Sequence, residues 1–77
     1  MITIEEFIQK LELEFETIIP GSLKSDSVLR ESMDWNSVNA LILIAMINVE
    51  YNVVITAKDL KSFKTLNDIF KFVQSNI

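Results

Sequence analysis

Proline and glycine each occur once in the 77-residue chain, and they stand side by side at Pro20-Gly21. The strongest break in the backbone therefore falls in one place, where it separates a first helix from a long connector. Cysteine is absent, so no disulfide framework can hold the fold together. A chain of this length rarely supports two hydrophobic cores, and we expect a single domain over residues 1–77.

The first helix has a clear beginning and a clear apolar side. Thr3 and Glu6 form the sequence pattern of a capping box. Apolar residues then recur every three or four positions from Ile4 to Ile18, with glutamates between them. The connector from Pro20 to Asn36 is predicted either to be an ordered functional loop or to contain a helical turn. The side chains expected to hold it in place are Val28, Leu29, Met33 and Trp35.

Three more helices are predicted after the connector. The second is expected from Ser37 to Tyr51, with Asn36 as its N-cap and Asn52 ending it. Thr56 and Thr65 are each followed three positions later by aspartate, which predicts the starts of a short helix and of the last helix. The sequence thus predicts an all-α fold of four helices, three long and one short.

The second helix is apolar on two sides. Its predicted core face comprises Ala40, Leu43, Ile44, Ile47 and Tyr51. A second stripe on a different side comprises Val38, Ile42, Ala45 and Val49. A helix of this kind is either sandwiched inside its own fold or offers one side to a partner.

Composition excludes several classes of function. Histidine is absent, so both the commonest zinc ligand and the commonest general base are missing. A net charge of −4 has the wrong sign for binding nucleic acid. The apolar run from Ala40 to Ile47 is far shorter than the roughly 20 residues of a membrane helix, and the first residues do not form a secretory signal. We expect a cytoplasmic protein that is not an enzyme, with no catalytic residues, no metal site and no membrane insertion.

Ser37 stands where the second helix begins. Free backbone N–H groups and the positive end of the helix dipole favour an attached or bound phosphate at that position. The signal is weak by itself, because serine is common in the first turn of a helix. Four lysines near the C-terminal end form a modest basic cluster, for which solubility is a sufficient explanation; they are Lys58, Lys61, Lys64 and Lys71.

In its context, Ser37 makes the chain resemble the acyl carrier proteins over nearly its whole length. The segments similar to the family's patterns are Thr3-Ile4-Glu5-Glu6, Trp35-Asn36-Ser37-Val38, Glu50-Tyr51 and Thr65-Leu66. The resemblance implies a four-helix acyl-carrier-protein-like bundle and a monomer. It also implies that a phosphopantetheinyl transferase attaches 4′-phosphopantetheine from coenzyme A to Ser37. Acyl groups would then be held on this arm as thioesters for acyl-loading and condensing enzymes of fatty acid, polyketide or related biosynthesis.

A second segment, Asp26-Ser27-Val28, matches the family's Asp-Ser-Leu motif more closely than the segment at Ser37 does. No apolar helix follows it, so Ser37 is the predicted attachment site.

Two departures from the family pattern affect these expectations. Asn36 replaces the family's aspartate, which keeps the helix cap and removes the charge. The second helix also keeps only Glu50 of the family's usual acids, and we expect partners to dock largely by apolar contact. The predicted partner-binding residues are Asn36, Val38, Leu41, Ile42, Ala45 and Val49.

Several alternatives stay open. The third helix or a second copy of the chain could cover the apolar stripe instead of a partner. The chain could be an interaction domain that is never loaded, as the neutral Asn36 would allow, or a carrier of aminoacyl or peptidyl groups, as Trp35 slightly favours. By resemblance, six residues either shelter an acyl chain between the second and third helices or are plain core: Leu43, Ile44, Ile47, Ile55, Leu60 and Phe63.

Overall fold

The computed structural model describes residues 2–16, 18–32 and 35–77. These residues form five helices, α1 (Ile4–Glu14), α2 (Leu29–Ser32), α3 (Ser37–Tyr51), α4 (Ala57–Ser62) and α5 (Leu66–Ser75). The described residues form no strand, although Val28 and Thr65 make an isolated antiparallel β-bridge. The predicted all-α class is confirmed, with one helix more than the sequence predicted.

The first helix is shorter than its apolar pattern predicted. It ends at Glu14, and Phe15 follows with extended backbone angles. Beyond the helix the chain folds back, so that the Gly21 N–H donates a 2.6 Å hydrogen bond to the Glu12 carboxylate, with Gly21 at a φ of 85°. Phe15 and Ile18 are nevertheless buried, as their place in the stripe predicted.

The connector contains the fifth helix as a single turn, α2, which agrees with the hidden helical turn that its length left open; no apolar periodicity marks where the turn lies. Leu29 is buried, whereas Val28 and Trp35 are half-buried and Met33 lies outside the described residues. The backbone carbonyl of Ser27 accepts a 2.9 Å hydrogen bond from the N–H of Leu66, the first residue of α5. The connector thus satisfies one of the donors that a helix N-terminus leaves free.

The capping predictions are confirmed for α3, α4 and α5. The side chains of Thr56 and Thr65 each accept from the backbone three residues later, and the aspartates at those positions complete both capping boxes. Asn52 adopts the left-handed conformation, with a φ of 56°, and ends α3. At the start of α1, the Thr3 hydroxyl accepts a 3.2 Å hydrogen bond from the Glu6 N–H.

The core is an apolar cluster to which every helix contributes. From α3 it takes Leu43 and Ile47, as predicted, and also Met46, which was not predicted. Ala40, Ile44 and Tyr51 are partly buried against it. Because almost every residue of α3 is apolar, periodicity alone gives little contrast between its sides.

The C-terminal end of α3 is fixed against α1. The rings of Phe7 and Tyr51 lie 5.9 Å apart between centroids, and Lys10 makes a 3.1 Å ion pair with Glu50. The Tyr51 hydroxyl is buried without a hydrogen-bond partner among the described residues. Burial raises the pKa of Tyr51, and the neighbouring Glu50 carboxylate raises it further. The packing of Tyr51 on Phe7, together with the ion pair between Lys10 and Glu50, sets the direction of α3.

The capping box of α5 gives the fold a pH dependence. Hydrogen bonds from the backbone N–H groups of Thr65 and Lys64 lower the pKa of Asp68. Ionised Asp68 therefore stabilises the fold above its unfolded pKa, and this contribution is lost as the pH falls through the folded pKa. We expect Asp68→Asn to lower the Tm at neutral pH, with the difference from wild type narrowing in acid.

Thermal denaturation followed by circular dichroism over a pH series measures this effect. Asp26→Asn is the matched control, because Asp26 is an exposed aspartate in the connector, and its Tm should stay close to that of wild type. A Tm difference for Asp68→Asn that persists undiminished in acid would contradict the assignment.

Candidate functional site

The start of α3 presents a serine hydroxyl to solvent. Ser37 is the first residue of the helix and its side chain is exposed. The Asn36 side-chain oxygen accepts a 2.8 Å hydrogen bond from the Asn39 N–H, which confirms Asn36 as the N-cap. No acidic residue lies in the first turn of α3, so the positive end of its dipole is not neutralised there. The geometry favours a negatively charged group on or beside Ser37.

A groove of about 360 Å³ opens beside Ser37, between α3 and α4. Its volume is at the lower end of the range typical of small-molecule sites. Apolar side chains supply most of its lining, and α2 and α4 contribute one charged residue each. The lining residues are Arg30, Trp35, Asn36, Ser37, Ala40, Leu41, Ile44, Ala57, Leu60 and Lys61.

The sequence predicted this lining only in part. Ile44 and Leu60 line the groove, whereas Leu43, Ile47 and Ile55 are enclosed in the core. Phe63 packs against Phe72 instead, with 5.5 Å between the ring centroids. The sequence reasoning missed Arg30, Trp35, Ala57 and Lys61 as lining residues. The position of Arg30 depends on α2, for which the sequence carries no periodic signal.

The two candidate serines differ sharply in environment. Ser27 is half-buried in a turn, where its hydroxyl oxygen accepts a 2.9 Å hydrogen bond from the Lys24 N–H. Its carbonyl is bound to α5, as described above. Ser37, by contrast, is exposed. Ser27 therefore has a structural role in the connector, and Ser37 has the more accessible hydroxyl.

One side of α3 is apolar and open to solvent within the described part of the chain. Val38 and Leu41 are 62% and 63% exposed, and Val49 is 80% exposed. Ala45 is exposed between them. We call Val38, Leu41, Ala45 and Val49 the apolar face of α3. The prediction that Ile42 belongs fully to this stripe is corrected, because Ile42 is half-buried and packs against the core.

Comparisons of the chain with models of known families, with curated proteins and with solved structures give no match. Within the described residues, no helix is both long and apolar enough to cross a membrane. The same residues contain no cluster of three or more histidine, cysteine, aspartate or glutamate side chains that could hold a metal ion.

The cap at Asn36 can be tested by two substitutions. Asn36→Ala removes the acceptor for the Asn39 N–H, and we expect it to lower the free energy of unfolding by about 1 kcal/mol. Asn36→Asp keeps the acceptor and adds a negative charge at the positive end of α3. We expect this variant to match or exceed wild-type stability by about 0.5 kcal/mol.

Urea denaturation measures both variants. Asn48→Ala is the control, because Asn48 is exposed near the other end of α3 and alanine is the better helix former. It should not destabilise the protein. Wild-type stability for Asn36→Ala would show that the hydrogen bond to Asn39 contributes nothing.

Proposed function

We propose that this protein is an acyl carrier, with Ser37 as the attachment point of a 4′-phosphopantetheine arm. The observation that carries the proposal is an exposed serine hydroxyl at the start of a 15-residue helix, beside a mostly apolar groove. The resemblance of Trp35-Asn36-Ser37-Val38 and of the later segments to the acyl carrier family supports it. In this proposal the fold is a carrier-type four-helix bundle of α1, α3, α4 and α5, and α2 is a turn within its connector.

Ser37 acts as the nucleophile in the loading step. Its Oγ forms a bond to the phosphorus of the pantetheine phosphate of coenzyme A, and the bond from that phosphorus to the nucleotide breaks. Adenosine 3′,5′-bisphosphate leaves. The hydroxyl proton passes to a base of the transferase. The positive end of α3 stabilises the phosphodiester left on Ser37.

When attached, the arm supplies a thiol that this cysteine-free chain lacks, and acyl groups are held on it as thioesters. Asn36 fixes the first turn of α3, so the attachment point stands on a rigid helix. Tethering keeps the acyl group at a high effective concentration near whichever enzyme the carrier has docked. The chain thus supplies an attachment point, an orientation and a docking surface.

Loading of Ser37 is measured by intact-protein mass spectrometry. The purified protein is incubated with coenzyme A, magnesium and a broad-specificity phosphopantetheinyl transferase. We expect wild type and Ser27→Ala each to gain the mass of one phosphopantetheine, and Ser37→Ala to gain none. Ser27→Ala is the matched control, because the alternative motif centres on Ser27.

The outcomes separate the candidate functions. A mass gain that Ser27→Ala loses would move the attachment site into the connector. If wild type gains no phosphopantetheine mass even with the transferase of its own source organism, the chain is an interaction domain that is never loaded. If the chain isolated from its source organism carries an aminoacyl or peptidyl mass on the arm, it is a carrier of aminoacyl or peptidyl groups.

We further propose that the transferase and the acyl-loading and condensing enzymes dock on the apolar face of α3. The support is the exposure of its large side chains together with the near absence of charge on the helix. Glu50 is the one charged residue of α3, and its carboxylate is paired with Lys10. Asn36 lies at the end of this face next to Ser37, and half-buried Ile42 lies at its edge. Docking of this kind depends little on salt.

Val49→Lys tests the docking surface. Because Val49 is 80% exposed, we expect the free energy of unfolding to change by no more than about 0.5 kcal/mol. A charge within an apolar contact should lower the rate of acyl loading by a partner enzyme about tenfold or more. The measurement is that rate, at low and at high salt.

Val54→Lys is the matched control, since it is also a valine, is 73% exposed and lies outside α3. It should leave the loading rate unchanged. Equal losses in the two variants would contradict docking on the apolar face. A second copy of the chain could occupy the apolar face instead of a partner enzyme, and sedimentation of wild type tests this alternative. A dimer that Val49→Lys dissociates would mean that a second copy covers this face.

A further inference from the structure

The groove beside Ser37 carries positive charge in a chain whose net charge is −4. Arg30 from α2 and Lys61 from α4 both line it, and no acidic residue is among the described residues that line it. Within the described part of the chain, neither cation makes an ion pair or a hydrogen bond. The positive end of α3 meets the same groove at Ser37. The groove therefore combines an apolar lining with two unpaired cations.

Solubility explains exposed lysines on a surface, but it does not explain cations that converge on one groove from two different helices. Lys58 lies on the same helix as Lys61 and is also exposed, yet it does not line the groove. An apolar ligand without charge would gain nothing from Arg30 and Lys61. A ligand with an apolar body and an anionic group would satisfy both parts of the lining.

We propose that the groove binds acyl cargo that itself carries a negative charge, such as a carboxylate at its far end. This inference rests on the proposed attachment of the arm to Ser37. Because Ser37 lines the groove, an arm attached there begins at its edge and can fold back into it. The apolar part of the cargo packs against Ala40, Ile44 and Leu60, and its carboxylate pairs with Arg30 and Lys61. A groove of about 360 Å³ suits a short acyl or aryl group.

The test compares two cargoes of equal carbon number, glutaryl and valeryl, which differ by a terminal carboxylate. Each is loaded on the thiol of the arm at Ser37, and cleavage of its thioester by hydroxylamine is followed by intact-protein mass spectrometry. The same two thioesters on free pantetheine correct for intrinsic reactivity. After this correction, we expect the glutaryl thioester to be cleaved roughly fivefold more slowly than the valeryl thioester, as for a charge pair in a half-open site.

Matched variants identify the cations responsible. Arg30→Gln and Lys61→Gln should each reduce the protection of the glutaryl thioester and leave the valeryl thioester unchanged. Lys58→Gln removes the same charge from the same helix outside the groove and should keep the protection. High salt should reduce the protection in wild type, because it screens exposed charges.

Three outcomes would overturn the inference. Equal corrected rates for the two thioesters in wild type would show that the groove does not distinguish charged cargo. If Lys58→Gln reduced the protection of the glutaryl thioester as much as Lys61→Gln does, Lys61 would act only through the net charge of the chain and not by pairing with the cargo. If Arg30→Gln and Lys61→Gln instead lower the Tm of the chain that carries the arm without cargo, the anion they bind is the phosphate of the arm.

This experiment separates the proposed carrier function from the proposed binding of negatively charged cargo. Failure of Ser37 to accept the arm at all would refute the carrier function and this inference together. A chain that accepts the arm but protects both cargoes equally remains a carrier and loses only its selectivity for a negatively charged cargo.

Discussion

The placement of α3 depends on an aromatic contact in the core. Phe7 of α1 is fully buried, and its ring lies 5.9 Å from the rings of Tyr51 in α3 and Phe70 in α5. This one side chain therefore joins the three longest helices. Every feature proposed to be functional lies on α3 or beside it. A loss of this packing would leave Ser37, the groove and the apolar face without a fixed frame.

The two ends of α3 are stabilised in different ways. Its C-terminal end is held by packing of Tyr51 and by the ion pair between Lys10 and Glu50. Its N-terminal end is capped by the Asn36 side chain, and the Ser37 side chain beside the cap is exposed to solvent. This difference suits a helix that is anchored at one end and chemically accessible at the other. The apolar face between the two ends is accessible to a partner that approaches Ser37.

The groove is assembled from segments that are distant in the chain. Its Arg30 comes from α2, and α2 is positioned because the connector is hydrogen-bonded to the first turn of α5. The N–H groups of Leu66 and Asn67 donate to the carbonyls of Ser27 and Ser25, at 2.9 and 2.8 Å. Helix α5 thus contributes to the groove without lining it. The charge of the groove is a product of tertiary structure.

The sequence by itself determined where α1, α3, α4 and α5 begin, since a cap requires only an Asn, Asp, Ser or Thr side chain and a backbone N–H group within about three residues. It also singled out Ser37, by its position at the head of an apolar helix. Only the tertiary structure decided where α1 ends, that α2 exists, and which sides of α3 are covered. Met46 and Ile42 illustrate the physical reason. On a helix that is apolar almost all round, burial is decided by what packs against each side, and that depends on contacts between residues far apart in the chain.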